Sequence, residues 1–219
     1  MIELKHIWKK FGHNAIFKDL NLSINQGEMI AIMGNSGSGK STLLNIIGLI
    51  EKPDEGEVII NNQKIEKLES KQVILAHRNL IGYIFQNFAL VDNETVSKNL
   101  DIALMYVDGT KIQKEEKKKQ ALEYVGIPEK MNSKIFELSG GEQQRVALAR
   151  VILKPCEIIL ADEPTGSLDE KTAADIISIL KKLNSEGKTI IIVTHDPSIA
   201  NNCNKIYHIE NKTIGTSQI

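Results

Sequence analysis

Gly34-Asn35-Ser36-Gly37-Ser38-Gly39-Lys40-Ser41 is the stretch on which the reading of this chain turns. It has the form G-x-x-x-x-G-K-[ST], a loop that cradles nucleoside triphosphate. Its glycines let the backbone curl until successive N–H groups point at phosphate oxygens. Lys40 reaches the β- and γ-phosphates as a point charge, and the Ser41 hydroxyl, with Thr42 beside it, can ligate Mg²⁺. Upstream, Glu28-Met-Ile-Ala-Ile-Met33 predicts a buried strand. Downstream, Leu43, Leu44, Ile46, Ile47 and Ile50 recur at helical spacing. Strand, glycine loop and helix are the context the motif requires, and the helix adds its positive dipole end.

Working outward, apolar β-branched runs at 28–33, 157–161 and 188–194 alternate with helical patterns. That predicts an α/β fold with a mainly parallel sheet covered on both faces. Further strands are expected at 2–7, 19–24, 57–61 and 81–85, and a strand pair at 205–214 around Glu210-Asn211. Residues 170–186 read as a helix stopped by Gly187. From Thr95 to Leu153 the texture is helical, an insertion into the α/β core. The charge run Lys114-Glu-Glu-Lys-Lys-Lys119 reads as a solvated helix face.

Composition excludes several classes. Lys+Arg total 27 against Asp+Glu 28 in 219 residues, so no basic excess follows a nucleic-acid backbone. No apolar run approaches the roughly 20 residues that span a bilayer. The start, Met-Ile-Glu-Leu-Lys-His, lacks the apolar region of a signal peptide. Cys156 and Cys203 have no metal or redox spacing. The expectation is one soluble, cytoplasmic domain whose membrane-spanning partner, if any, is a separate chain.

Two further segments carry chemistry. Ile158-Ile-Leu-Ala-Asp-Glu163 is a strand whose two carboxylates emerge at its C-terminal edge, where α/β sheets place ligands. Asp162 suits the Mg²⁺ shell opposite Ser41, and Glu163 can polarise a water for in-line attack. In Leu138-Ser-Gly-Gly-Glu-Gln-Gln-Arg145, Ser139 with Gly140 and Gly141 precedes a helix expected at 143–153. It reads equally as a second anion site or an ordinary capped helix start.

In this order the motifs resemble those of the ATP-binding-cassette (ABC) ATPases, over nearly the whole chain. The matching residues are Phe11, Gly34–Thr42, Gln86, Leu138–Glu142, Ile158–Glu163, Ser167-Leu-Asp169 and His195. The resemblance implies a P-loop NTPase with an N-terminal antiparallel β subdomain and an inserted helical subdomain. Residues 1–219 would form one domain, with 1–86 and 155–219 the nucleotide-binding core and 87–154 the helical part. It implies an ATP-dependent head-to-tail homodimer, each ATP held between one copy's 34–42 loop and the other's Ser139, Gly140, Gly141 and Glu142. His195 would hold the γ-phosphate and attacking water, Gln86 would contact Mg²⁺ or water, and Asp169 would cross the interface. Phe11, where tyrosine is commoner, would stack on adenine, with Trp8 a rival. Glu142 stands where glutamine is common; both suit a helix first turn.

Gln86–Leu100 and Ala161–Asp169 resemble subunits serving macrolide, lipoprotein and peptide exporters. They imply an ATPase at the inner membrane face, powering export of a peptide, antibiotic or lipophilic substrate through a separate permease. The alternative is an ATPase moving a membrane partner that transports nothing, as in cell-division or cell-wall-hydrolase regulation. Within 86–100, Phe88, Leu90 and Val91 could form a docking groove for that partner or pack the inserted helices.

Overall fold

The computed structural model describes residues 1–217. It opens with two strands, β1 (Ile2–Phe11) and β2 (Asn14–Ile24), paired antiparallel. Alternation sets their inner face: Ile2, Leu4 and Ile7, with Phe17, Leu20, Leu22 and Ile24, are buried. Both strands run beyond the ranges expected from sequence. The extra residues pair across the hairpin, Lys10 with Ala15 and Phe11 with Asn14, where polar side chains hide any apolar period.

The wholly apolar β3 (Met29–Met33) leads through the 34–39 loop into α1 (Lys40–Ile47). Then β4 (Glu55–Ile60) and β5 (Gln63–Ile65) complete an antiparallel sheet in the order β2-β1-β4-β5. The next helix, α2 (Lys71–Asn79), had no sequence signal. Val73 is its one fully buried residue, so no apolar stripe announced it, and Ser70 caps it by accepting from the Val73 N–H.

After β6 (Ile81–Ile84) the inserted stretch resolves into α3 (Val96–Ala103), α4 (Lys111–Tyr124), two 3-10 turns (Pro128–Lys130 and Ile135–Glu137) and α5 (Gly140–Ile152). Here α5 begins three residues before the expected 143, because Ser139 is its N-cap and both glycines are already helical. One expectation fails on α4. Lys118, in the charge run taken for a solvated face, is buried, donating to Ser97 Oγ at 2.7 Å and Asp101 Oδ1 at 2.8 Å. Glu115 pairs with it at 2.6 Å. Burial opposes its charge, but Asp101 and Glu115 outweigh this and hold its pKa above the ordinary lysine value.

The chain finishes with β7 (Ile158–Asp162), α6 (Glu170–Ser185), β8 (Thr189–Val193), α7 (Pro197–Ala200), β9 (Lys205–Glu210) and β10 (Thr213–Ser217). The second sheet has the order β10-β9-β3-β8-β7-β6, parallel except for β10 at its edge. Successive residues of its central strands serve opposite faces. Ala31, Ile159, Ala161, Ile190 and Ile192 pack with α3 to α6. Ile30, Ile32, Ile158, Leu160, Ile191 and Val193 pack with α1 and the antiparallel sheet. Each aliphatic side chain so buried contributes about 1.5–3 kcal/mol, which pins the sheet from both sides. Every parallel strand therefore ends at one edge, and loops carrying polar side chains gather there.

Candidate nucleotide site

The loop after β3 wraps tightly around the start of α1. Gly39 has φ +98°, and a Cβ there would meet Ile16 Cγ2 at 2.4 Å, so glycine is required on both counts. Lys40 folds into the loop, its Nζ donating to the carbonyls of Gly34 at 2.8 Å and Asn35 at 3.2 Å. The cationic head is thereby held within the ring of residues 34–39. Beside it, Asn35, Gly37 and Ser38 line a cleft of about 530 Å³ with Asn14, Ile16 and the Glu210–Lys212 turn. Phe11, half exposed, pairs with Asn14 at this hairpin. Lys9 Nζ lies 5.1 Å from its ring centre and is itself anchored on Glu51 and the Lys52 carbonyl. Trp8, also exposed, pairs instead with Glu55 on the neighbouring strand.

At the end of β7 the two carboxylates diverge. Asp162 accepts from Ser41 Oγ at 3.2 Å, which joins the phosphate loop to the acidic strand. Burial raises its pKa above the usual carboxylate range; Ser41 and Lys40 oppose the shift, while Glu163 adds to it. Hydroxyl and carboxylate oxygens are the donors a hard divalent cation takes, and a cation there would relieve the charge that burial disfavours. Glu163 sits at φ +45°, a strained conformation for a side-chain-bearing residue. Its backbone N–H donates to the Val193 carbonyl at 2.9 Å. Its Oε1 lies 2.8 Å from His195 Nδ1, just past β8. A carboxylate only accepts, so Nδ1 carries the proton and Nε2 is left facing outward. Gln86 is exposed beyond β6, whose Ile84 pairs with Ala161, so it emerges at the same edge as Asp162 and Glu163.

Ser139 and its glycines lie elsewhere. Ser139 N–H donates to Glu142 Oε2 at 2.8 Å, and Ser139 Oγ accepts from Glu142 N–H at 3.3 Å, a reciprocal capping box. Lys130 pairs with Glu142 at 2.7 Å; that ion pair and then the Ser139 bonds hold the carboxyl below its ordinary pKa. A Cβ on Gly141 would strike Thr172 Cγ2 at 2.5 Å. Thr172 in turn donates from N and Oγ1 to Asp169, the N-cap of α6, at 3.0 and 2.6 Å. Ser139, Gly140 and Asp169 are exposed and, with the half-buried Gly141 and Glu142, form one ridge. Among the described residues, no hydrogen bond joins that ridge to the 34–42 loop.

The three apolar residues singled out after Gln86 divide. Leu90 packs on the core beneath the helices, Phe88 is half-buried and Val91 is exposed. Arg150 fixes the left-handed Phe88-Ala89 turn by donating to both carbonyls. Between Phe88 and Leu90, Ala89 lines an apolar cavity of about 460 Å³ with Ile50, Phe85, Ile102 and Tyr106. Arg78 stacks on Tyr106, its guanidinium carbon 3.8 Å from the ring centre. Ile50, read in sequence as part of a helical apolar stripe, is exposed just past α1, and Ile102 and Tyr106, which the sequence did not single out, are exposed at and just past the end of α3.

Comparison with known proteins identifies the family of this fold. The family model described as ABC transporter matches residues 17–166. The uncharacterized ABC transporter ATP-binding protein MJ0796 of Methanocaldococcus jannaschii is 45% identical over 219 residues, covering 96% of this chain and 93% of that protein. The macrolide export ATP-binding/permease protein MacB of Campylobacter jejuni is 42% identical over 215 residues, covering 98% of this chain. This chain spans only about a third (33%) of that relative's length. A dimeric structure of MJ0796 in a post-hydrolysis state, bound to ADP and Pi, superposes with a TM-score of 0.91 at 38% identity and covers 100% of this chain. No helix among the described residues is long and apolar enough to cross a membrane. The chain belongs to the ABC transporter family, as one of its ATP-binding, ATP-hydrolysing cassettes.

Proposed function

We propose that this cassette burns ATP at composite sites between two head-to-tail copies and drives a separate membrane permease. The observation that carries the reading is a separation within one copy. Lys40, Ser41, Asp162, Glu163 and His195 meet at the sheet edge, while among the described residues no hydrogen bond ties the Ser139 ridge to any of them. One copy thus holds two half-sites, and a second copy turned head to tail completes both.

Within a half-site, loop N–H groups and Lys40 bind the β- and γ-phosphates. Ser41 and Asp162 would hold Mg²⁺, with Gln86 at the same edge. Bound Mg²⁺ supplies neutralisation of phosphate charge. Glu163 accepts a proton from the attacking water, and His195, oriented by Glu163, presents Nε2 to the γ-phosphate. From the other copy, Ser139 and the first N–H groups of α5 cap the same phosphate, and Asp169 lies at the seam. Phe11 stacks on the base. Residues 1–86 and 155–219 act as the nucleotide-binding core and 87–154 as the helical part. The apolar groove at Ile50, Ile102 and Tyr106 receives a cytoplasmic helix of the permease, which places the cassette at the inner face of the membrane. The likeness to a macrolide export protein supports export of an antibiotic, peptide or lipophilic molecule.

Glu163→Gln tests the reading. The amide keeps the shape but takes no proton, so turnover should be lost and ATP binding kept. With ATP the variant should elute as a dimer in size exclusion, and with ADP as a monomer. Hydrolysis near the wild-type rate would remove Glu163 from its role.

A further inference from the structure

The turn that presents Glu163 is strained, and such a turn persists only where its surroundings over-determine it. Some of its restraints are local. Gly166 N–H donates to the Glu163 carbonyl at 3.1 Å, and Leu168 N–H to the Thr165 carbonyl at 3.0 Å. One comes from a distant element. Gln144, on α5 and only 1% exposed, donates from Nε2 to the Pro164 carbonyl at 2.8 Å. Proline has no N–H, so this carbonyl is the polar backbone group that Pro164 offers. A carbonyl only accepts, so the Gln144 amide is oriented: its NH₂ end faces Pro164. The opposite end, Oε1, has no hydrogen-bond partner among the described residues. As filling, a half-used buried amide is worse than methionine or leucine. What glutamine adds at this position is the donor beneath the catalytic turn.

We propose that Gln144 is a positioning residue for Glu163, fixing through the Pro164 carbonyl the turn that aims the carboxylate at the attacking water. This rests on the reading of Glu163 as the group that takes that water's proton. Gln144 acts through the backbone of the turn, by its bond to the Pro164 carbonyl. Its loss leaves the phosphate loop intact and lets the turn relax by a fraction of an ångström, enough to spoil in-line alignment.

The test is steady-state ATP hydrolysis by the full chain carrying Gln144→Met, which keeps length and volume and removes the donor. The expected result is a kcat about 10- to 100-fold lower, with KM for ATP and the thermal midpoint near wild type. Added to Glu163→Gln, the same substitution should leave the residual rate unchanged and the ATP-induced dimer intact, because no carboxylate remains to misalign. An unchanged kcat in Gln144→Met overturns the proposal. So does loss of the ATP-induced dimer, which would put the effect on Ser139 through α5. Should Gln144→Met fail to fold, Gln144→Glu decides. Its protonated carboxyl can donate to Pro164, so its rate relative to wild type should rise between about pH 8 and about pH 6, and a flat ratio overturns the proposal. Glu163→Gln separates the two levels. If it is inactive while Gln144→Met is normal, only the positioning role is lost; if it is active, the reading of Glu163 goes too.

Discussion

Phe11 and Trp8 are both exposed aromatics on β1; the family resemblance points to Phe11 as the stacker, with Trp8 as its rival. Strand pairing supports Phe11: it sits against Asn14, which lines the cleft beside the phosphate loop, whereas Trp8 pairs with Glu55. Phe11→Ala should therefore weaken nucleotide binding by about 1–3 kcal/mol, by analogy with base–aromatic stacking elsewhere. The readout is a raised KM for ATP with kcat near wild type, and a similar rise for GTP because stacking reads any base. Trp8→Ala is the control; if it raises KM and Phe11→Ala does not, the wrong aromatic has been chosen. At this scale the sequence was legible wherever chemistry demands a short fixed pattern, as at Gly34–Ser41 or Asp162-Glu163. It was not legible for Gln144, whose partner Pro164 lies 20 positions away and is reached only through the packing of α5 on the 164–172 segment.

Elements were legible in proportion to the apolar surface they bury. The strands β3, β7 and β8 are buried along nearly their whole length, and their boundaries lie within a residue or so of the expected ones. Helix α2, with one buried residue, was invisible. Helix α4 shows the converse error, for a charged run there hides an inward-facing residue. Lys118 packs its stem in the helical layer while its ammonium ties α4 to Ser97 and Asp101 on α3. Lys118→Ala should destabilise the chain by about 1–3 kcal/mol, since it removes both the packed stem and the bonds between helices. Lys118→Met keeps the stem, and Asp101 and Glu115 can turn to water, so its cost should be smaller. Urea midpoints at constant m-value measure both. A Lys118→Ala protein as stable as wild type would restore the solvated-face reading.

At the scale of the whole molecule, the arrangement follows from two facts of topology. All parallel strands end at one edge, so the phosphate loop, the acidic pair, His195 and Gln86 collect there without any need for neighbouring sequence positions. Helix α5, by contrast, packs its first turn against Leu168 and Thr172, and among the described residues no hydrogen bond ties Ser139 to the phosphate loop. If two copies share their sites, a defect in one half should be complemented by the other half from a different copy. Place Lys40→Ala in one chain and Ser139→Arg in another, both in the Glu163→Gln background so that hydrolysis does not reopen the sandwich. Each alone should stay monomeric with ATP, because every site it can form has one broken half. Mixed, they can form a heterodimer in which one site has both Lys40 and Ser139 intact and the other has neither. ATP should then draw a tagged copy of one chain into a dimer with the other, and about half the usual binding energy should make that dimer weaker than one built from two Glu163→Gln parents. Self-association of the Ser139→Arg chain as tight as that of the parent would mean that Ser139 does not act across the interface. The ridge would then be no more than a capped helix start, and the second half of the nucleotide site would have to be sought on another face.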